Sequence, residues 1–230
     1  MSHIQIAIDG PSGAGKSSLS RAVAKAMGII YVDTGALYRT IGYFARSKGI
    51  SLDRIGDLVP LLGEIEIEIR YENDVQCVYL NGENLGDRIR ENEISMYASK
   101  VSALPEVRAF LLDTQRDIAR KNSVIMDGRD IGTVILPDAD VKIFLTASNE
   151  IRARRRVREL EEKGMPASYE TILADMEKRD EQDRNRDIAP AVAAPDAIHF
   201  DNSYEGFDEA RDALLSVIRT VIQNPSNAKE

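Results

Sequence analysis

The sequence predicts an α/β fold in which a parallel central sheet is flanked by helices. Two observations carry this prediction. Short apolar runs at residues 4–8 and 29–32 are each followed by a turn and then by a helical pattern. Residues 19–27 also place their apolar side chains on one helical face before Gly28 ends the segment. Alternation of strand, turn and helix is typical of a parallel sheet with helices on its faces.

The same alternation resumes in the second half of the chain. Pro105 begins a helical segment, and two apolar runs that follow it, residues 123–126 and 141–146, predict buried strands. A last strand at 197–200 precedes a helix from about residue 207 to 222. With 230 residues, the chain has the length of one large domain. We therefore expect a single domain over 1–230.

The middle of the chain departs from this rhythm. Residues 64–70 alternate strictly between charged and apolar side chains, and residues 75–80 form a second strand pattern. The dipeptide Asn81-Gly82 after them is a strong hairpin turn signal. The sequence therefore predicts a small antiparallel insert over 64–86.

Composition excludes several classes of protein. The formal net charge of −8 argues against a general nucleic-acid binder. The single cysteine, Cys77, excludes an intramolecular disulfide and a multi-cysteine zinc site. The N-terminal residues lack the basic segment of a signal peptide, and no apolar run reaches about 18 residues. We expect a cytoplasmic protein with neither a nucleic-acid nor a membrane partner.

A glycine-rich motif follows the first predicted strand. Residues 10–17, Gly-Pro-Ser-Gly-Ala-Gly-Lys-Ser, match the pattern G-x-x-x-x-G-K-[ST] between a strand and a helix. In such a P-loop the glycines let backbone N–H groups converge on phosphate oxygens, and the helix N-terminus adds positive potential. Lys16 can bridge the β- and γ-phosphates, and the Ser17 hydroxyl can hold Mg²⁺. The residues predicted to bind a nucleoside triphosphate are Gly10, Pro11, Ser12, Gly13, Ala14, Gly15, Lys16, Ser17 and Ser18.

A second element of a phosphate site is indicated by Asp127. It ends the apolar strand at 124–127, which is the layout of the carboxylate that holds Mg²⁺ in P-loop proteins. The alternative interpretation is an ordinary turn residue at the end of a strand.

A P-loop leaves the reaction open. A guanine-specific switch would carry an N-K-x-D segment, which the sequence lacks. An RNA-binding module is disfavoured because the charged segment 150–186 has ten acidic and ten basic residues and few aromatic ones. A small-molecule kinase needs arginines for a second anionic substrate, and the chain has 21 arginines against nine lysines. The residues alone therefore favour a phosphotransferase that uses a Mg²⁺-bound nucleoside triphosphate.

Four motifs together resemble one family. Residues 8–17 contain the P-loop, residues 33–39 read Asp-Thr-Gly-Ala-Leu-Tyr-Arg, residues 127–133 read Asp-Gly-Arg-Asp-Ile-Gly-Thr, and residues 179–186 read Arg-Asp-Glu-Gln-Asp-Arg-Asn-Arg. This set closely resembles the bacterial cytidylate kinases over nearly the whole chain. The resemblance implies the reaction ATP + CMP ⇌ ADP + CDP, with dCMP also accepted, Mg²⁺ required and a monomeric enzyme. It also implies a P-loop core, a CMP-binding region enlarged by the insert, and a short helical lid near 152–164.

The resemblance implies roles for individual residues as well. Arg39 and Arg129 correspond to clamps on the CMP phosphate, and Thr34 supplies a hydroxyl where many relatives have serine. Arg179 and Asp183 correspond to contacts to the sugar or to the adjacent phosphate. The residues implied to read the cytosine ring are Ser99, Arg108, Asp130 and Arg186. The groups implied to act on the transferring phosphoryl group are Lys16, Arg39, Arg129 and Arg179.

Physical chemistry makes these roles sensible. A carboxylate such as Asp130 accepts a hydrogen bond from the N4 amino group of cytosine, where uracil presents a carbonyl oxygen. A helix or turn cap is the alternative role for Asp130. The nucleophile is a phosphate oxygen that is already largely ionised at neutral pH, so no general base is needed.

Arg154, Arg155 and Arg158 are candidate phosphate contacts of the lid. Another small acceptor, such as UMP, AMP or a hydroxylated metabolite, remains the alternative substrate.

Overall fold

The computed structural model describes residues 3–72, 75–162, 164–165, 167–203 and 206–224. Residues 73–74 of the expected insert and residue 163 of the expected lid thus lie outside the described residues. The strands are β1 (Gln5–Asp9), β2 (Ile30–Asp33), β3 (Ile67–Glu72), β4 (Val75–Leu80), β5 (Glu83–Asn84), β6 (Val124–Asp127), β7 (Val141–Thr146) and β8 (Ile198–Asp201). The helices are α1 (Lys16–Met27), α2 (Thr34–Ser47), α3 (Asn92–Val101), α4 (Pro105–Lys121), α5 (Asn149–Glu162), α6 (Tyr169–Asn185) and α7 (Phe207–Gln223).

A five-stranded sheet has the order β2-β6-β1-β7-β8. Strand β1 lies at its centre and pairs in parallel with β6 and with β7, with Ile8 opposite Asp127 and Ile143. Parallel strands bring their carboxyl ends to the same edge of a sheet, which is where ligands bind in open α/β folds. The P-loop after β1, Asp127 and the loop after β6 therefore share one edge.

Strands β1, β6, β7 and β8 of this sheet belong to a compact unit formed by residues up to Tyr31 and from Ala119 onwards. Its core joins apolar side chains of β1, β6 and β7 to Leu19 and Val23 of α1 and to Leu214 and Ile218 of α7. A spacing of four residues places these side chains on one face of each helix, as the sequence pattern predicts. Among the described residues, no helix has both the length and the apolar character needed to cross a bilayer.

Residues Val32–Ile118 form a second compact unit. Its separate apolar core includes Leu37 and Ile41 of α2, Ile94 of α3 and Leu111 of α4. Each of the two units thus buries its own set of apolar side chains. The single kinase domain expected over 1–230 stays a prediction.

The small antiparallel sheet lies inside this second unit. Strand β3 pairs with β4, and β4 pairs with β5 across the turn that contains Asn81 and Gly82. The predicted antiparallel insert is confirmed, although its first strand begins at Ile67 rather than at residue 64. Residues Leu52–Glu64 form a run of 3₁₀ turns that ends where the alternating pattern begins. The first residue of that pattern, Glu64, therefore belongs to a turn rather than to the strand.

Candidate active site

The P-loop connects β1 to α1, and its glycines allow very close packing. A Cβ atom on Gly10 would lie 1.9 Å from the backbone oxygen of Leu145, and Gly10 has a φ of +142°. Gly15 has a φ of +95°, and a Cβ there would lie 2.6 Å from the Asn202 amide nitrogen. That nitrogen donates a hydrogen bond of 2.6 Å to the carbonyl of Ala14. The loop is therefore held in one shape by its neighbours, with positive φ values that only glycine adopts at low cost.

Lys16 begins α1 and is buried, with 6% of its surface exposed. Its Nζ donates a hydrogen bond of 2.8 Å to the carbonyl of Pro11, within the P-loop itself. Burial lowers the pKa of Lys16, and the neighbouring Arg129 guanidinium lowers it further, whereas Asp127 and Asp9 act in the opposite direction. A buried ammonium among other cations stabilises an incoming phosphate strongly, because the anion removes their mutual repulsion.

The Ser17 hydroxyl and the Asp127 carboxylate face each other. Ser17 Oγ donates to Asp127 Oδ2 at 2.8 Å, and Tyr31 donates its phenolic hydrogen to Asp127 Oδ1 at 2.9 Å. Asp127 is buried, and the Arg21 guanidinium lies 5.3 Å from the centre of the Tyr31 ring. A hydroxyl and a carboxylate are oxygen ligands of the kind that Mg²⁺ prefers. This donor set fits the ion expected beside a triphosphate.

Asp9, the last residue of β1, is a site residue that the sequence analysis missed. Its two carboxylate oxygens each accept a backbone hydrogen bond of 2.8 Å, one from Ile131 and one from Gly132. Burial raises the pKa of Asp9 to about 6, against the opposing effect of these two N–H groups. Asp9 thus fixes the π-helical turn Ile131–Ile135, which begins directly after Asp130.

Asp130 is buried and lies beside Arg186. The nearest nitrogen of the guanidinium is 3.9 Å from Asp130 Oδ1, and both side chains are almost fully enclosed. The Asp130 carboxylate does not cap the turn that follows it. The alternative role as a turn cap is therefore wrong, and two residues implied to read the base lie together.

Arg129 and Asp183 form a second pair in the same unit. Arg129 Nε donates a hydrogen bond of 3.1 Å to Asp183 Oδ2. Arg179 lies one turn before Asp183 in α6 and is close enough to Lys16 to affect its pKa. A cavity of about 640 Å³ is lined by Arg129 and Asp183, and also by Pro11 of the P-loop. This size is within the range of small-ligand sites.

Helix α5 carries the arginines of the expected lid, and they differ in their contacts. Arg152 is fully buried and donates to the backbone carbonyls of Ala147 and Ser12 and to the Asp180 carboxylate at 2.6 Å. It therefore supports the backbone of the P-loop. Arg155 donates to the carbonyl of Asn202 at 2.8 Å, and burial lowers the pKa of Arg155.

Arg154 and Arg158 are exposed on the same helix. Their spacing of four residues places both on one face of α5. The structure does not test their expected phosphate contact, which stays a prediction.

In the second unit, Thr34 and Arg39 lie on α2. Thr34 is buried at the first position of the helix, whose N-cap residue is Asp33. The Asp33 carboxylate accepts a hydrogen bond of 2.9 Å from Ala36 N and one of 2.8 Å from Arg39. A Cβ on Gly35 would lie 2.9 Å from the Arg39 guanidinium, so glycine leaves room for this ion pair.

Arg108 and Ser99 are joined through Ser102. Arg108 is buried, donates a hydrogen bond of 3.2 Å to the Ser102 carbonyl, and lies 5.7 Å from the centre of the Tyr38 ring. The Ser102 hydroxyl donates to the carbonyl of Ser99 at 2.8 Å. The second unit thus places Ser99 and Arg108 near each other, as the resemblance implies for two residues that read one base.

These features define a class of protein. A central parallel sheet, a P-loop after its first strand and a cluster of arginines around a buried lysine are typical of P-loop kinases. A gluconokinase from Sinorhizobium meliloti shares this fold with a TM-score of 0.51 at 15% identity, over 99% of this chain and 98% of that one.

Comparison of sequences identifies the family within this class. The family model of cytidylate kinase matches residues 6–220. A cytidylate kinase from Fervidobacterium nodosum is 45% identical over 94% of this chain and 97% of its own length. One from Caldicellulosiruptor saccharolyticus is 44% identical over 97% and 99%. The chain belongs to the cytidylate kinase family.

Proposed function

We propose that this protein transfers the γ-phosphoryl group of ATP to CMP, giving ADP and CDP. The observation that carries the proposal is the match of the cytidylate kinase family model to residues 6–220, a range that includes every motif of the site. A relative that is 45% identical over 94% of this chain adds to it. The geometry supports it, since the P-loop with its buried lysine suits a triphosphate and the Asp130–Arg186 pair suits a base with both donors and acceptors.

ATP is proposed to bind through the P-loop, with its phosphates on the backbone N–H groups and on Lys16. Mg²⁺ would be held by Ser17 directly and by Asp127 through water, since these oxygens already face each other at 2.8 Å. The ion, when bound, neutralises charge on the phosphates. Tyr31 orients the Asp127 carboxylate by occupying its other oxygen.

The proposed roles for CMP divide between phosphate and base. Arg39, Arg129 and Arg179 neutralise the phosphate, and Arg39 supports this role because its Nε is buried and has no hydrogen-bond partner among the described residues. The residues proposed to read the cytosine are Ser99, Arg108, Asp130 and Arg186. Asp183 and Thr34 are proposed to contact the sugar and the adjacent phosphate. UMP would leave buried polar groups of these residues without hydrogen-bond partners, which is energetically costly. We therefore expect UMP to be rejected.

Catalysis under this proposal consists of alignment and charge neutralisation. The acceptor phosphate is largely ionised at neutral pH and needs no proton removed. The cationic groups around Lys16 stabilise the charge of the transferring phosphoryl group and bring two anions together. We propose that the α5 arginines help exclude water, which would otherwise compete as acceptor.

Three finer features are also proposed. The enzyme is expected to accept dCMP, to act as a monomer and to reside in the cytoplasm, where a protein with one cysteine is not exposed to disulfide formation. We expect neither a nucleic acid nor a membrane as a partner.

The test is a coupled assay of ADP release with Mg²⁺ and ATP across CMP, dCMP, UMP, AMP and GMP. We expect CMP to be the best acceptor, followed by dCMP, and we expect the Lys16→Met variant to lose the activity. Preferred use of UMP or AMP would be consistent with kinase activity but would refute CMP as the preferred acceptor. Failure to use any monophosphate would refute the proposed function.

A further inference from the structure

One side chain of the antiparallel insert holds the backbone next to the proposed phosphate clamp. Gln76 of β4 accepts a hydrogen bond of 2.7 Å from Asp33 N through its Oε1. Its Nε2 donates a hydrogen bond of 3.2 Å to the Asp33 carbonyl. The amide thus binds both polar backbone groups of one residue, a two-point contact that fixes orientation as well as position.

Strand geometry directs Gln76 toward this contact. Successive side chains of a strand point to opposite faces, so Gln76 shares a face with Val78 and Leu80. Val78 and Leu80 are buried in the same apolar core as Leu37 of α2. The side of β4 that packs into the core of the second unit is therefore the side that carries Gln76.

Asp33 connects Gln76 to Arg39 through its side chain. Its carboxylate caps the first turn of α2 through Ala36 N and pairs with Arg39 at 2.8 Å. Gln76 holds the backbone of Asp33 in place. The Asp33 carboxylate, which orients the Arg39 guanidinium, is therefore held in place as well. Loss of the amide contact would free Asp33 to rotate and would let the guanidinium lose its alignment.

We propose that Gln76 is a positioning residue for Arg39, and that the insert sets the affinity for the acceptor nucleotide through this contact. This inference rests on the proposed function, in which Arg39 binds the acceptor phosphate. It gives the insert a role in substrate affinity that none of the four sequence motifs includes.

The first experiment measures steady-state kinetics of Gln76→Ala. Two ordinary hydrogen bonds correspond to about a tenfold effect, so we expect KM for CMP to rise about tenfold while KM for ATP stays within about twofold. Gln76→Glu is the second variant. It keeps an acceptor for Asp33 N but places a carboxylate oxygen against the Asp33 carbonyl, so we expect KM for CMP to rise at least as much.

Tyr79→Phe is the matched control. Tyr79 lies on the opposite face of the same strand, and its hydroxyl donates to Glu72 within the insert. The hydroxyl also accepts a hydrogen bond of 3.5 Å from Asn84, so Tyr79→Phe removes two polar contacts of β4 without touching Asp33. We expect unchanged KM values for both substrates. An equal rise of KM for CMP in Tyr79→Phe would overturn the inference, since it would show a general response to damage in the insert.

A double-mutant cycle with Arg39→Lys decides whether Gln76 acts through Arg39. If it does, Gln76→Ala has little further effect on KM for CMP once Arg39 is replaced. Fully additive effects, or a KM within twofold of wild type in Gln76→Ala and in Gln76→Glu, would overturn the inference alone. Wild-type protein that makes no CDP would instead refute the proposed function.

Discussion

Replacing Asp9 by asparagine is expected to change how the stability of the protein depends on pH. Asp9 is buried at the end of the central strand, and its carboxylate has two backbone N–H partners but no side-chain ion pair within hydrogen-bonding distance in the described residues. Burial therefore dominates and raises the pKa of Asp9 from 3.8 to about 6. The charged form is less favourable in the folded protein than in the unfolded chain.

The sign and size of the effect follow from these two pKa values. Below pH 3.8 the carboxyl is protonated in both states, and as the pH rises the unfolded chain loses this proton first. Stability contributed by Asp9 is thus present at low pH and is lost as the pH rises through about 6. Since a tenfold change in proton affinity is worth about 1.4 kcal/mol, the loss approaches ~3 kcal/mol above pH 7.

Urea unfolding of wild type and Asp9→Asn between pH 4.5 and 7.5 measures this loss. The difference in unfolding free energy between the two proteins is expected to change by roughly 2 kcal/mol over that range. The wild type becomes less stable relative to Asp9→Asn as the pH rises. Asp140→Asn provides the baseline, because Asp140 is an exposed carboxylate that accepts a hydrogen bond from Gln5 at the opposite end of the same strand. A difference that stays constant with pH would refute the reasoning.

Three further predictions concern the site. Asp130→Ala should raise KM for CMP and reduce the ratio of kcat/KM between CMP and UMP at least tenfold, and an unchanged ratio would remove Asp130 from base recognition. Tyr31→Phe removes the 2.9 Å hydrogen bond to Asp127, so KM for Mg·ATP should rise up to about tenfold, as titration of ATP in excess Mg²⁺ would show. Neutralising Arg154 or Arg158 should lower kcat more than it weakens ATP binding, and wild-type turnover in both variants would contradict this role.

Much of the fold can be predicted because its elements depend on local sequence patterns. The strand, P-loop and helix at residues 5–27 follow from an apolar run, three glycines and a helical stripe, and all three elements form where these patterns lie. Helix α4 begins at Pro105 as predicted, because proline suits the first turn of a helix. The antiparallel insert follows from alternation and from one strong turn dipeptide.

The missed features depend on contacts between distant parts of the chain. Asp9 accepts hydrogen bonds from residues more than 120 positions away, and Arg152 reaches the carbonyl of Ser12 across 140 positions. Neither contact leaves a local pattern, and Arg152 is indistinguishable in sequence from its exposed neighbour Arg154. Gln76 looked like an ordinary strand residue. The strand order also had no local signal, since it depends on which runs pair after folding.

The proposed enzyme transfers a phosphoryl group directly from ATP to CMP. Phosphorus NMR of an equimolar mixture of ATP and CMP, with Mg²⁺ and the wild-type enzyme, measures this transfer. We expect ADP and CDP to appear in equal amounts while inorganic phosphate stays at its background level. Release of inorganic phosphate without CDP, or no change in the spectrum, would contradict it.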